Sequence, residues 1–119
     1  MTLEELGRRA VACKHWRWMP GMAWFEPPSG APDDDGDYGR INSVDFGCDI
    51  GSPAYPDLSD PCTLGGLLAL VREAWKENVS PTYWPEDGGD PAYWAIEIDR
   101  WYDGDTEGAS LVAALEAAP

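Results

Sequence analysis

Apolar residues recur at helical spacing near both ends of the chain. The first stretch predicts a helix over residues 3–14 with Thr2 as its N-cap, because its apolar positions follow one another at intervals of three and four. The last stretch predicts a helix that Thr106 or Asp105 caps and that continues to about Ala118. Its apolar residues share one side, and we expect them to point inward.

The widest apolar stripe lies in the middle of the chain and predicts a helix over residues 61–77. Asp60 is a favoured N-cap, and Pro61 suits the first helical position because the N–H that proline lacks is not needed there. The width of the stripe predicts a central helix that is buried over much of its girth. Gly65 and Gly66 each cost the helix about 1 kcal/mol relative to alanine, so we expect another backbone to pack closely against them.

Alternation of apolar and polar residues predicts strands over residues 41–46 and 93–101. An extended segment over residues 16–25 is interrupted by Pro20 and Gly21. Residues rich in Gly, Pro and Asp predict irregular connections, and these are residues 27–39, 47–59, 78–91 and 103–105.

The order of these elements, α-β-β-α-β-α, predicts an α+β fold. We expect a small antiparallel sheet of about three strands with three helices packed on one face. A chain of 119 residues has room for one such unit, so residues 1–119 are predicted to form a single domain.

The composition supports a packed core and carries a large negative charge. Hydrophobic residues make up 44% of the chain and include seven Trp, which excludes a wholly disordered chain. Eight Lys and Arg stand against 22 Asp and Glu, a formal net charge of −14. The charge is +1 over residues 1–32, −7 over residues 33–60 and −8 over residues 61–119. Such a charge excludes plain electrostatic binding to duplex DNA or to an anionic membrane.

The sequence predicts a cytoplasmic protein. No apolar run approaches the roughly 18 residues of a membrane-spanning helix, and Glu4 and Glu5 precede any apolar run, unlike in a secretory signal. Three cysteines, Cys13, Cys48 and Cys62, cannot all pair within the chain, which indicates reduced thiols.

Acidic residues do not complete a catalytic or metal-binding motif. Three aspartates between residues 33 and 37 are spaced as in a calcium loop, but Tyr38 and Val44 stand where that loop needs a glycine and a bidentate acid. Glu97 and Asp99 could supply paired carboxylates for hydrolysis, although any half-exposed strand shows the same alternation. We therefore predict no catalytic residue, no metal and no cofactor.

Partner-binding residues are expected where aromatic and acidic residues lie together. Trp84 fits no apolar periodicity and stands in an acidic loop, so we expect an exposed interface anchor. The predicted partner-binding residues are Asp33, Asp34, Asp35, Asp37, Tyr83, Trp84, Glu86 and Asp87. The expected partner is a protein with a basic surface.

A second candidate site is the one cluster of basic and aromatic residues, Arg8, Arg9, Trp16, Arg17 and Trp18. Arginine and tryptophan can stack on a base and hold a phosphate, so the alternative function is binding of a nucleotide or phosphorylated small molecule. In the competing interpretation, both tryptophans are core anchors, and Arg17 and Lys14 pair with carboxylates elsewhere in the fold.

Three stretches, about two-fifths of the chain, resemble short uncharacterised proteins of bacteriophages and prophages: residues 10–22 (AVACKHWRWMPGM), residues 57–75 (DLSDPCTLGGLLALVREAW) and residues 106–119 (TEGASLVAALEAAP). That family has no assigned activity to transfer. The resemblance implies a phage origin and residence in a bacterial cytoplasm.

Size, charge and resemblance together predict a non-enzymatic phage accessory protein that binds and inhibits a host factor. Carboxylates on such a protein can occupy a basic nucleic-acid channel in place of phosphates. An inhibitor of a host-defence complex, of the anti-CRISPR kind, fits this description, with no direct binding to nucleic acid.

Overall fold

The structure is a computed structural model, and it describes residues 2–27, 32, 36–41 and 54–119. The described residues form three helices, which are α1 (Leu3–Val11), α2 (Pro61–Trp75) and α3 (Glu107–Ala117). All three were predicted, but α1 ends three residues earlier than expected. α2 ends two residues earlier than predicted, since Lys76 adopts a left-handed conformation with φ of 56°.

The three predicted N-caps are confirmed. Thr2 accepts a hydrogen bond from the backbone of Glu5, whose carboxylate accepts one from the backbone of Thr2, which forms a capping box. Asp60 caps α2 through the backbone N–H of Thr63, and Thr106 caps α3. These caps satisfy N–H groups that the first helical turn cannot pair internally.

Within the described ranges, six short strands form two antiparallel sheets. In the first sheet, the order is β2 (Asp37–Arg40), β1 (Ala23–Glu26), β3 (Tyr55–Pro56). In the second sheet, the order is β4 (Thr82–Trp84), β5 (Tyr93–Glu97), β6 (Trp101–Gly104). The α+β class is confirmed, whereas the expectation of a single sheet is wrong.

Several strands lie where irregular structure was predicted. β2 begins inside the predicted loop 27–39, β3 lies within residues 47–59, and β4 lies within residues 78–91. Each is two to four residues long and gains its hydrogen bonds from a neighbouring strand, a contribution that local composition does not reveal.

The predicted strand over residues 93–101 is two strands. The chain reverses at Asp99, which accepts a hydrogen bond from the Tyr102 hydroxyl at 2.6 Å, while the backbone of Ile98 donates to that of Arg100. The predicted turn over residues 103–105 is wrong at its start, because β6 continues to Gly104. Of the predicted strand 41–46, Ile41 is buried outside β2, and the other residues lie outside the described part of the chain.

The core is centred on α3 rather than on α2. α3 contacts α1, α2, β5 and β6, and seven of its eleven residues are buried. α2 buries four of its fifteen residues, so the prediction that α2 would be the central helix is wrong. The reason is side-chain size, since the small residues of α3 let other elements approach its backbone from several sides.

Glycines allow two of these close approaches. A Cβ on Gly104 would lie 2.5 Å from the Cβ of Ala109, so its absence lets β6 lie directly on α3. In α2, a Cβ on Gly66 would lie 2.7 Å from Met22 Cε, so a side chain packs closely there. The prediction that another backbone approaches the two glycines of α2 is wrong, since Gly65 has nothing within 4 Å.

A hydrogen-bonded junction joins the first sheet to the start of α2. The buried Thr63 hydroxyl accepts from the backbone N–H of Ala23 at 2.8 Å and contacts Asp60 at 3.0 Å. The two terminal guanidinium nitrogens of Arg40, Nη1 and Nη2, each donate to the Asp60 carboxylate at 3.0 Å. The hydrogen bonds from Arg40, in the first place, hold the pKa of Asp60 far below its usual value.

Candidate functional site

The second sheet and its turns concentrate aromatic and acidic residues. Residues 82–105 contain six of the fourteen aromatic residues of the chain, and seven acidic residues against one arginine. The net charge of this segment is therefore −6. Aromatic side chains with carboxylates around them are typical of a surface that binds a positively charged group.

The strand register sorts these residues onto two faces. Gly104 contacts α3, so its neighbours at alternate positions, Asp103 and Trp101, point to the opposite face, here called the outer face. Ala95 pairs with Asp103, and Trp84 pairs with Tyr93. Trp84, Tyr93 and Trp101 thus come from three different strands to one face.

These side chains surround the aromatic recess, which is lined by Trp84, Tyr93, Ala95, Trp101 and Asp103 and has a volume of about 420 Å³. The ring of Trp84 lies nearly parallel to that of Tyr93 and at 79° to that of Trp101, with 6.2 Å between centroids in both pairs. Ala95 is only 2% exposed although it faces outward, because the larger side chains around it cover it.

The aromatic residues themselves remain open to solvent. Trp84 is 42% exposed, Tyr93 39% and Trp101 52%. The Asp103 side chain is exposed, and no described residue forms a hydrogen bond or ion pair with it. A cluster of large exposed aromatic residues is unusual on a protein surface, and this makes the outer face the candidate site of the described residues.

Sequence reasoning found only part of this site. The exposure of Trp84 is confirmed, and Glu86 and Asp87 are exposed in the turn that follows. Tyr83 is exposed too, but it points to the other face, where its ring centroid lies 5.3 Å from that of Trp94. Trp94, on that other face, is half-buried.

The sequence did not indicate the other four members of the aromatic recess, which are Tyr93, Ala95, Trp101 and Asp103. Period-two alternation within 93–97 does place Tyr93 and Ala95 on one face. Trp101 and Asp103 required knowledge that the chain reverses after Ile98, and no glycine or proline marks that reversal.

The predicted acidic loop does not join this face as far as it is described. Asp37 lies in β2, in the first sheet, where its carboxylate accepts a hydrogen bond from the backbone of Tyr38. Asp33, Asp34 and Asp35 lie outside the described residues.

The predicted basic and aromatic cluster does not form one site, because its arginines pair with three different acidic residues. Arg8 contacts Glu4 and lies over the Tyr55 ring, and Arg9 pairs with Glu116. Arg17 donates to both oxygens of Glu73 at 2.9 and 2.7 Å, which lowers the pKa of that carboxyl group. Trp16 and Trp18 contact each other edge to face at 5.4 Å and pack against the core.

A different set of basic residues does come together, around the basic recess. This recess of about 650 Å³ lies between the segment after α1 and the end of α2, and its lining includes Lys14, His15, Arg17, Lys76 and Trp75. Neither Lys14 nor Lys76 has an acidic side chain within ion-pair distance among the described residues. His15 Nε2 lies 2.7 Å from a Pro119 oxygen.

The carboxylate pair considered for hydrolysis does not line the aromatic recess. Glu97 ends β5 beside Trp101, while Asp99 accepts the Tyr102 hydroxyl, and this hydrogen bond raises the pKa of Tyr102. Across the described residues, no group of three His, Cys, Asp or Glu side chains could hold a metal ion.

Comparisons with known proteins identify no relative. No family model matches the chain, and no curated protein or solved structure shows significant similarity to it. Within the described ranges, no helix has the length and apolar character needed to cross a membrane. The resemblance to phage proteins stays a prediction, and the candidate site rests on its geometry.

Proposed function

We propose that the protein acts by binding another protein, one with a basic surface, on the outer face of the second sheet. The observation that carries this proposal is the cluster of Trp84, Tyr93 and Trp101, which stay 39–52% exposed around a recess in a segment of net charge −6. In this proposal the protein acts by binding alone and catalyses no reaction.

Exposed tryptophan and tyrosine supply binding free energy because their large rings leave water when a partner covers them. Burial of apolar surface contributes about 25 cal/mol per Å², and the exposed 39–52% of these three residues is the area that a partner can still cover. The carboxylates around the rings select a partner of opposite charge and speed the encounter with it.

The finer proposal is that the partner is a host factor of a bacterial cell and that binding blocks it. It is supported by the net charge of −14 and by the predicted resemblance to phage proteins. A host-defence complex with a basic nucleic-acid channel is the kind of target that such a surface suits.

The experiment compares three forms of the protein as bait in a bacterial lysate: the natural chain, the double variant Trp84→Ser/Trp101→Ser, and Tyr38→Ser. Tyr38 is the matched control because it is 85% exposed but lies in the first sheet. We expect one basic protein to be retained by the natural chain and by Tyr38→Ser and to be lost with the double variant.

The complex is then rebuilt from that purified protein, and its dissociation constant is measured across a salt series. We expect weaker binding at high salt, because exposed charges are screened. Recovery of the same proteins by all three baits, or of no basic protein, would contradict the proposal.

A second candidate function, binding of a phosphorylated small molecule, is favoured by the basic recess. Lys14, His15 and Lys76 gather there beside the ion pair of Arg17 and Glu73, in a chain that has eight Lys and Arg in all. ADP and inorganic pyrophosphate are suitable probes, since a ligand at 100 times its Kd stabilises the fold by about 2.7 kcal/mol. The rise in Tm should disappear in Lys14→Ala/Lys76→Ala and persist in Arg100→Ala, and an unchanged Tm in the natural chain would exclude this function.

A further inference from the structure

We infer that the aromatic recess receives one arginine side chain of the partner, with the guanidinium group against a tryptophan ring and hydrogen-bonded to Asp103. This inference rests on the proposed function and names the chemical group that the outer face recognises. It follows from the shape of the recess, from the state of Asp103 and from the charge around them.

The shape of the recess suits a flat cation. Trp84 and Trp101 meet at 79°, so their rings form a corner above Ala95. A guanidinium group is planar and can stack on one ring, where the negative face of the ring attracts it within about 6 Å. A volume of about 420 Å³ exceeds what one side chain needs and admits its aliphatic stem as well.

Asp103 determines which side chain can enter. Its carboxylate lines the recess, and no described residue pairs with it. An apolar side chain would cover this charge without compensating it, which is unfavourable. Arginine presents two parallel N–H groups that match a carboxylate, and its guanidinium is less strongly hydrated than the ammonium of lysine.

A second copy of the chain is a poor occupant of the recess. Two outer faces would bring two segments of net charge −6 together. Arg100, the one arginine of that segment, lies over the ring of Tyr102, which belongs to the face turned toward α3. Charge complementarity therefore favours a different, basic protein.

The test uses four short peptides with a single variable residue: arginine, citrulline, lysine and trimethyl-lysine. Citrulline is the decisive control, because it keeps the planar shape of arginine and loses the charge. Each peptide is titrated to about 10 mM, since one anchored side chain supports only millimolar affinity. The readout is the shift of the indole N–H resonances of Trp84 and Trp101 in the natural chain.

We expect the arginine peptide to bind at least about fivefold more tightly than the citrulline peptide, the factor that one charge pair 4 Å apart contributes in water. Asp103→Asn should remove this preference. Asp37→Asn should keep it, because Asp37 is also an exposed strand aspartate but lies in the first sheet.

Equal binding of arginine and citrulline, tighter binding of either lysine peptide, or no indole shift at the highest concentration overturns the inference. If the lysate protein still requires Trp84 and Trp101 in those cases, the proposed function stands and only the arginine assignment fails. If the chain instead forms a dimer that Trp101→Ser dissociates, both fail.

Discussion

Replacing Gly104 with alanine tests how the second sheet is seated on α3. The new Cβ would lie 2.5 Å from the Cβ of Ala109 and 2.7 Å from the backbone nitrogen of Ser110. Both contacts are too short, and one of them is to helix backbone, so the strand or the helix must move. Overpacking of this kind costs about 1–3 kcal/mol of the free energy of unfolding.

Gly65→Ala is the matched control, and its effect should have the opposite sign. Gly65 lies within α2, and a Cβ there would have nothing within 4 Å. Alanine in a helix interior is more stable than glycine by up to about 1 kcal/mol, because it restricts the unfolded chain and adds no clash. The free energies of unfolding of the two variants should therefore differ by about 1–4 kcal/mol.

The measurement is urea unfolding followed by tryptophan fluorescence, for which the chain supplies seven tryptophans. The midpoint should fall for Gly104→Ala and rise for Gly65→Ala at a constant m value, since neither substitution changes the surface exposed on unfolding by much. A Gly104→Ala variant as stable as the natural chain would refute the close approach of β6 to α3.

A double-mutant cycle identifies the clashing atom. In an Ala109→Gly background, the 2.5 Å contact is absent while the contact to Ser110 remains. Gly104→Ala should then cost less than it does in the natural chain, but still more than zero. An unchanged cost would show that the two side chains are not in contact.

Substitutions at four further positions test the rest of the fold. Thr63→Val should lower the free energy of unfolding by about 1–3 kcal/mol, because a buried N–H of β1 loses its hydrogen-bond acceptor. Thr63→Ser keeps the acceptor, so equal losses for the two variants would contradict this role of the hydroxyl group. Arg40 lowers the pKa of Asp60, so this carboxylate stabilises the fold above about pH 4 and loses its effect as the pH falls toward 2. The natural chain and Asp60→Asn should therefore differ less in free energy of unfolding as the pH falls over that range. A difference that does not change with pH would refute the contribution of the Asp60 carboxylate. Trp75→Ala should lower the free energy of unfolding by about 3 kcal/mol, because Trp75 packs on the core. Trp101→Ala should lower it by less than about 1 kcal/mol, because Trp101 is exposed. If thermal unfolding shows equal losses of stability, the aromatic residues of the outer face have a structural role.

The helices could be predicted from the sequence because their determinants are local. Thr2, Asp60 and Thr106 cap residues three positions away, and each apolar stripe repeats within a few turns. The exposure of Trp84 could also be predicted, because its position fits no apolar periodicity. The net negative charge and the aromatic content follow from the amino-acid composition and need no structure.

The tertiary structure decided the division into two sheets and the make-up of the aromatic recess. β2, β3 and β4 are too short to show alternation, and they exist because a neighbouring strand pairs with them. Trp84 and Trp101 are seventeen residues apart in sequence. They meet because the register across β4, β5 and β6 places them on one face, and register depends on pairing between strands, which no local pattern contains.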